Sequence, residues 1–174
     1  MTERLWVFGY GSLIWDPCFP VERRETARLD GWRRSFCMTS LHYRGTPEAP
    51  GLVLALDRAE GAFCHGVAFL VERGAEDAAL AALRERELVS DAYTEMRLRL
   101  TDPAVTALTY VIDPANVQYC LHDIATQARI IAGAAGRRGP NRDYLMNTVL
   151  HLDALGIPDA ELHDLAERVR ALAP

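Results

Sequence analysis

Leu5-Trp6-Val7-Phe8-Gly9-Tyr10-Gly11-Ser12-Leu13-Ile14 decides the fold class, because an apolar strand there runs straight into a glycine turn. A dinucleotide-binding βαβ unit opens in a similar way. It needs a third glycine at position 14 and a helix to follow, whereas this chain has Ile14 and no helix-forming pattern. Glycines in such a turn permit φ > 0 and let backbone N–H groups converge on a carboxylate or oxyanion. A Gly-x-Gly after a strand is equally often a plain turn.

Working outward, Thr26 to Leu29 and Trp32 to Met38 flank Asp30-Gly31, the signal of a two-residue hairpin. Further strands are expected at Gly51 to Leu56, Cys64 to Val71, Glu95 to Leu100 and Thr106 to Ile112. Between them, Glu76 to Glu85 is a helix with Ala75, Ala78, Ala79, Ala82 and Leu83 on one face. From about Ala115 the texture becomes helical. Leu121, Ile124, Ala128 and Ile131 form one stripe; Pro140 opens a second helix that Gly156 can close; Pro158 opens a third with Leu162, Leu165, Val169 and Leu172. Hairpin connections and the late helices predict an α+β fold, a curled, mostly antiparallel sheet flanked by helices, in one domain spanning residues 1–174.

Composition narrows the chemistry. All 19 basic residues are arginine, which excludes a phosphate-loop lysine, a Schiff-base lysine and a serine–lysine dyad. The formal net charge of −5, with no basic block, argues against nucleic acid as a partner. No apolar run approaches a membrane span and the first residues carry Glu3, so a cytoplasmic protein without leader or membrane contact is expected. Cys18, Cys37, Cys64 and Cys120 are far apart, which fits reduced thiols better than disulfides or zinc.

Several segments carry polar groups in usable patterns. Arg84-Glu85-Arg86-Glu87-Leu88 ends the first helix; alternating charge usually marks a solvated face. Yet a carboxylate at a helix C-terminus meets the negative end of the dipole, which suits Glu87 to accept a proton. Leu88 and Val89 suggest that the chain turns toward the core there. In the loop Ser40 to Pro47, Arg44 is able to hold a carboxylate in a two-pronged grip or simply to bond the loop. Pro140 at a helix start sets Asn141 and Tyr144 about one turn apart on one side, for packing or for binding.

Together, Trp6-Val7-Phe8-Gly9-Tyr10-Gly11-Ser12-Leu13-Ile14-Trp15, Arg44-Gly45-Thr46-Pro47 with Pro50-Gly51, Arg86-Glu87 ahead of Tyr93, and Pro140-Asn141-Arg142-Asp143-Tyr144-Leu145 resemble the ChaC-like gamma-glutamylcyclotransferases. The resemblance spans nearly the whole chain in order. It implies a cytosolic enzyme with a small β-barrel or curled sheet flanked by helices, which converts glutathione to 5-oxoproline and Cys-Gly. It also implies that Val7, Phe8, Gly9, Tyr10, Gly11, Ser12 and Leu13 hold the amino-acid end of the γ-glutamyl group and that Glu87 is the catalytic glutamate. Tyr144, Arg44 and Asn141 are carried over as substrate-binding residues. No metal or cofactor is implied, because the nucleophile, the α-amine, is part of the substrate. Asp91-Ala92 stand where many relatives have a glycine before the tyrosine, a departure that bears on how the loop after Glu87 bends. The alternatives are γ-glutamyl dipeptides or γ-glutamylamines as substrates, and a non-catalytic γ-glutamyl-binding regulatory protein. Neither these nor the oligomeric state are separated by sequence.

Overall fold

The structure, a computed structural model, describes residues 3–172; Met1 and Thr2, part of the segment read for a leader, lie outside the described residues. In chain order the elements are β1 (Trp6–Gly9), a 3-10 turn (Ser12–Ile14), β2 (Val21–Ser40), β3 (Gly51–Val71), α1 (Glu76–Glu87), β4 (Tyr93–Arg99), β5 (Thr106–Ile112), α2 (Ile124–Gly133), β6 (Ala135–Gly136), β7 (Gly139–Pro140), α3 (Asn141–Ala154) and α4 (Ala160–Leu172). This is a mixed α+β fold, strand-rich up to Ile112 and helical beyond. The chain divides into two compact units, one of the chain up to Ser35 with Ala55–Asn116, the other of Phe36–Leu54 with the chain from Val117.

Five strands form a sheet in the order β2-β3-β1-β5-β4. β1 is antiparallel to β3, from Trp6 opposite Leu70 to Gly9 opposite Val67, and parallel to β5, with Val7 opposite Leu108. β4 and β5 pair antiparallel from Tyr93 opposite Ile112 to Arg99 opposite Thr106. Because β3 reaches β5 again at Leu56 opposite Val111, the sheet curls back on itself. Val7 and Phe8 point to opposite faces of β1 and neither is exposed, so this strand is covered on both sides.

The expected hairpin at Asp30-Gly31 is not formed; β2 runs through it as one 20-residue strand. A two-residue hairpin of that type needs φ > 0 at both central residues, and here only Gly31 has it, at +85°. The Asp30 carboxylate is instead taken by Arg28 Nε at 2.8 Å and the Thr101 hydroxyl at 2.6 Å. Arg28 and Asp102 form an antiparallel bridge that holds the backbone extended. Likewise the strands expected at Gly51 to Leu56 and Cys64 to Val71 are one 21-residue strand, with Gly61 at φ +78° in its middle. Helix α1 buries Glu76, Ala79, Leu83 and Arg86, a stripe rotated from the alanine face expected; Ala78 is exposed. Leu88 and Val89 are also exposed, at 40% and 51%, so the chain leaves the core after Glu87 rather than entering it.

The second unit packs α2, α3 and α4 against one another. α2 starts at Ile124, where the Asp123 side chain accepts from the Thr126 N–H at 2.7 Å. Leu121 therefore precedes the helix and is exposed, and Leu172 at the end of α4 is exposed as well. Asp159 caps α4 by accepting from Leu162 N–H at 3.1 Å. Ala128, Ile131, Leu145, Leu152, Leu165 and Val169 supply its apolar core.

Candidate active site

The turn after β1 is held by groups from three other elements of the first unit. The Tyr10 hydroxyl donates to the carbonyl of Tyr110 at 2.7 Å, and Thr109 Oγ1 donates to the carbonyl of Phe8 at 3.1 Å, which fixes the end of β1 to β5. Arg34, on β2, donates to the carbonyls of Tyr10 at 3.2 Å and His65 at 2.8 Å. Gly9 and Gly11 do not take positive φ, contrary to expectation. The chain needs glycine at position 9 for closeness: a Cβ there would lie 3.0 Å from the Phe69 ring and 3.1 Å from Leu13 Cβ. Opposite, a Cβ at Gly66 would lie 2.4 Å from the Gly9 carbonyl oxygen.

The 3-10 turn closes with Ile14 N–H donating to Gly11 O at 2.9 Å and Asp16 N–H to Ser12 O at 3.0 Å. The leading N–H groups of such a turn, here those of Ser12 and Leu13, find no acceptor within it. The side chains of Val7, Phe8 and Leu13 are buried, so these residues offer a ligand only their backbone.

Glu87 is the last residue of α1, its side chain 16% exposed. Arg86 Nε lies 3.4 Å from Glu87 Oε1. Arg86 also donates from Nη2 to Ser12 Oγ at 2.7 Å and from Nη1 to the carbonyl of Asp16 at 2.6 Å, with the Asp16 carboxylate 3.5 Å away. One buried guanidinium thus joins the glycine turn to the glutamate, and sequence reasoning passed it over as part of a solvated charge run. The overlooked signal was spacing: Ala79, Leu83 and Arg86 lie on one helical stripe.

Around this pair, Arg84 grips Glu95 with Nε at 3.0 Å and Nη2 at 2.9 Å, and Tyr110 Oη donates to Glu95 at 3.0 Å. The Arg84 hydrogen bonds hold the Glu95 carboxyl below its usual range. Burial, then the hydrogen bond to Glu95, then the charges of Glu95 and Glu87 push the Tyr110 phenol far up, so it stays a proton donor. Burial pushes the Cys18 thiol up although Arg86 opposes it. Among the described residues no group of three His, Cys, Asp or Glu side chains is arranged to hold a metal ion.

Arg44, Asn141 and Tyr144 belong to the second unit and cluster there. Asn141, with no exposure, accepts from Leu52 N–H at 2.8 Å and donates to Leu52 O at 2.7 Å. Two residues on, Leu54 N–H donates to the Tyr144 hydroxyl at 3.1 Å. Backbone groups two residues apart share a strand edge, so the first turn of α3 stands in for a neighbouring strand. Arg44 lies over the Tyr144 ring at 5.5 Å and donates to Pro140 O at 3.2 Å. Desolvation by its half-burial, with Arg138 adding to it, lowers its pKa.

The family model for ChaC-like protein matches residues 5–172. The chain belongs to the ChaC-like family. It is 38% identical to gamma-glutamylcyclotransferase 2-3 of Arabidopsis thaliana, over 95% of this chain and 88% of that protein. It is 36% identical to the glutathione-specific gamma-glutamylcyclotransferase of Escherichia coli (strain K12), over 97% of this chain and 74% of that one. In structure it is similar to a yeast gamma-glutamylcyclotransferase specific to glutathione, with a TM-score of 0.89 over 99% of this chain and 98% of that one. At 22% identity this last likeness speaks for the fold. Among the described residues no helix is long and apolar enough to cross a membrane.

Proposed function

We propose that this chain is a gamma-glutamylcyclotransferase that cleaves glutathione into 5-oxoproline and Cys-Gly, with Glu87 as the general acid and base. Membership of the ChaC-like family over residues 5–172, with relatives named for this activity at 36% and 38% identity, supports the reaction class. The observation that carries the site is the Arg86 bridge, which joins Glu87 to the Ser12 turn.

The substrate brings its own nucleophile. Glu87 takes a proton from the α-ammonium, the freed amine attacks the γ-carbonyl carbon, and the carbonyl electrons move onto oxygen. Glu87 returns that proton to the cysteine nitrogen as the oxyanion collapses and the C–N bond breaks, and the new ring nitrogen, left with two hydrogens, gives one up through Glu87 to the released amine, so that a neutral lactam and an ammonium depart. Enzyme work is therefore conformational and protonic. Holding the glutamyl chain bent removes much of the entropic part of the barrier. On this reading the backbone of Val7 to Leu13 holds the amino-acid end, and N–H groups of the turn stabilise the oxyanion. Arg44, Asn141 and Tyr144 remain candidates for substrate binding on the resemblance alone. The whole of residues 1–174 acts as one functional domain in the cytoplasm, where its four cysteines stay reduced thiols.

The test is incubation of the purified chain with glutathione and, separately, with γ-Glu-Ala, following 5-oxoproline and the released amine by mass spectrometry. Product from glutathione alone is expected. Product from the dipeptide as well moves the reading to a broader cyclotransferase, and binding without product moves it to a γ-glutamyl-binding protein.

A further inference from the structure

Arg86 sits in a place where an arginine is costly. Its side chain is 7% exposed, and a buried guanidinium with unmet N–H groups is strongly destabilising. The chain meets that cost with acceptors of three kinds: the Ser12 hydroxyl, the Asp16 carbonyl, and the carboxylates of Asp16 and Glu87. Ser12 and Asp16 bracket the 3-10 turn, while Glu87 is the next residue along α1.

Two consequences follow from the donor inventory. Successive side chains on a helix diverge by about a quarter turn, so Arg86 and Glu87 do not share a face by default. The ion pair through Nε turns the Glu87 carboxylate toward the fork that grips the turn. A hydroxyl has one hydrogen and two acceptor sites. Because Ser12 Oγ accepts from Arg86, its own hydrogen is directed away from that guanidinium.

We propose that Arg86 is a positioning residue that sets the Glu87 carboxylate and the Ser12 hydroxyl as one rigid pair, binding neither substrate nor product itself. This rests on the cyclotransferase reading above. Only a planar fork performs the task, since a lysine ammonium is a point charge on a shorter set of directions and cannot bond Ser12 and Asp16 while facing Glu87. Among the charged and titratable groups bearing on Glu87 are Arg86 on its own helix, Cys18 after the 3-10 turn and Tyr110 on β5.

The experiment compares Arg86→Gln, Arg86→Lys and wild type in the full chain, measuring 5-oxoproline release from glutathione across pH, with Glu87→Gln alongside. Arg86→Gln is expected to lower kcat by about 10² or more with KM changed by less than about threefold. Loss of the adjacent cation also disfavours the Glu87 anion, so the acid limb of kcat moves to higher pH. Arg86→Lys keeps the charge and loses the fork; kcat falls by at least about tenfold while the limb moves less. Wild-type kcat in Arg86→Lys, or an unmoved limb in a folded Arg86→Gln protein, overturns the proposal. If circular dichroism shows Arg86→Gln unfolded, Arg86→Lys decides alone. A wild type without product overturns the cyclotransferase reading instead, whereas a fully active Glu87→Gln leaves that reading standing and removes Glu87 as the base and the proposal with it, so the failures are distinct.

Discussion

Replacing Asn141 by alanine removes a side chain that does the work of a β-strand. Its amide bonds both the N–H and the carbonyl of Leu52, at 2.8 and 2.7 Å, and neither residue is open to water: Asn141 is 0% exposed and Leu52 is 1%. Alanine leaves two buried backbone groups unpaired, each costing about 1–3 kcal/mol, so a loss of about 2–6 kcal/mol is expected. For a chain of this length that is a fall in Tm of about 5–20 °C. Asn141→Asp sharpens the test. Its one oxygen still accepts from Leu52 N–H, but at neutral pH the other faces the Leu52 carbonyl oxygen with no proton between them. Protonated, the carboxyl donates there again, so the folded state raises its pKa above the unfolded value of about 3.9. Stability held by such a group is fully present below the unfolded value and lost as pH rises through the folded one, so the gap from wild type narrows toward acid pH. Urea unfolding followed by circular dichroism at pH 7 and pH 5 reads both effects. A loss under about 1 kcal/mol in Asn141→Ala, or an Asn141→Asp gap that widens toward low pH, refutes the reasoning.

Gly66→Ala puts a Cβ 2.4 Å from Gly9 O and 2.8 Å from the Phe8 ring, so it is expected to cost about 1–3 kcal/mol and to lower turnover by displacing the turn; unchanged unfolding midpoint and rate would count against the packing argument. The Glu95 carboxyl is held low, first by the hydrogen bonds from Arg84 and also by that from Tyr110. Its contribution to stability is therefore present above the unfolded value of about 4.3 and lost as pH falls through the folded value. Glu95→Gln is expected to flatten the fall of the urea midpoint below pH 5, and an identical pH profile in the variant contradicts this.

What was legible in the sequence is what local periodicity controls. Thr106 to Ile112 is read as a strand with the bounds it has, and the first strand and first helix lie where the pattern puts them, because alternation and helical spacing act over a few residues. Asp30-Gly31 misleads because its local preference is overruled by a bridge between Arg28 and Asp102, far along the chain. Arg86 was illegible for the same reason: its acceptors at Ser12 and Asp16 lie 74 and 70 residues away, and without them an arginine in a charge run reads as solvated. Leu88 and Val89 look like a turn into the core only until α1 is seen to bury Arg86 in place of an apolar end. The one-turn spacing of Asn141 and Tyr144 was visible; that both address one strand edge, at Leu52 and Leu54, needed the fold.

The most direct measurement of the central claim is 5-oxoproline release from glutathione by wild type and by Glu87→Gln, a change that keeps shape and removes the base. The account predicts product from the wild type and a fall in turnover by about 10² to 10⁴ in the variant, with an unchanged circular dichroism spectrum. Near-normal turnover in a folded Glu87→Gln protein contradicts it.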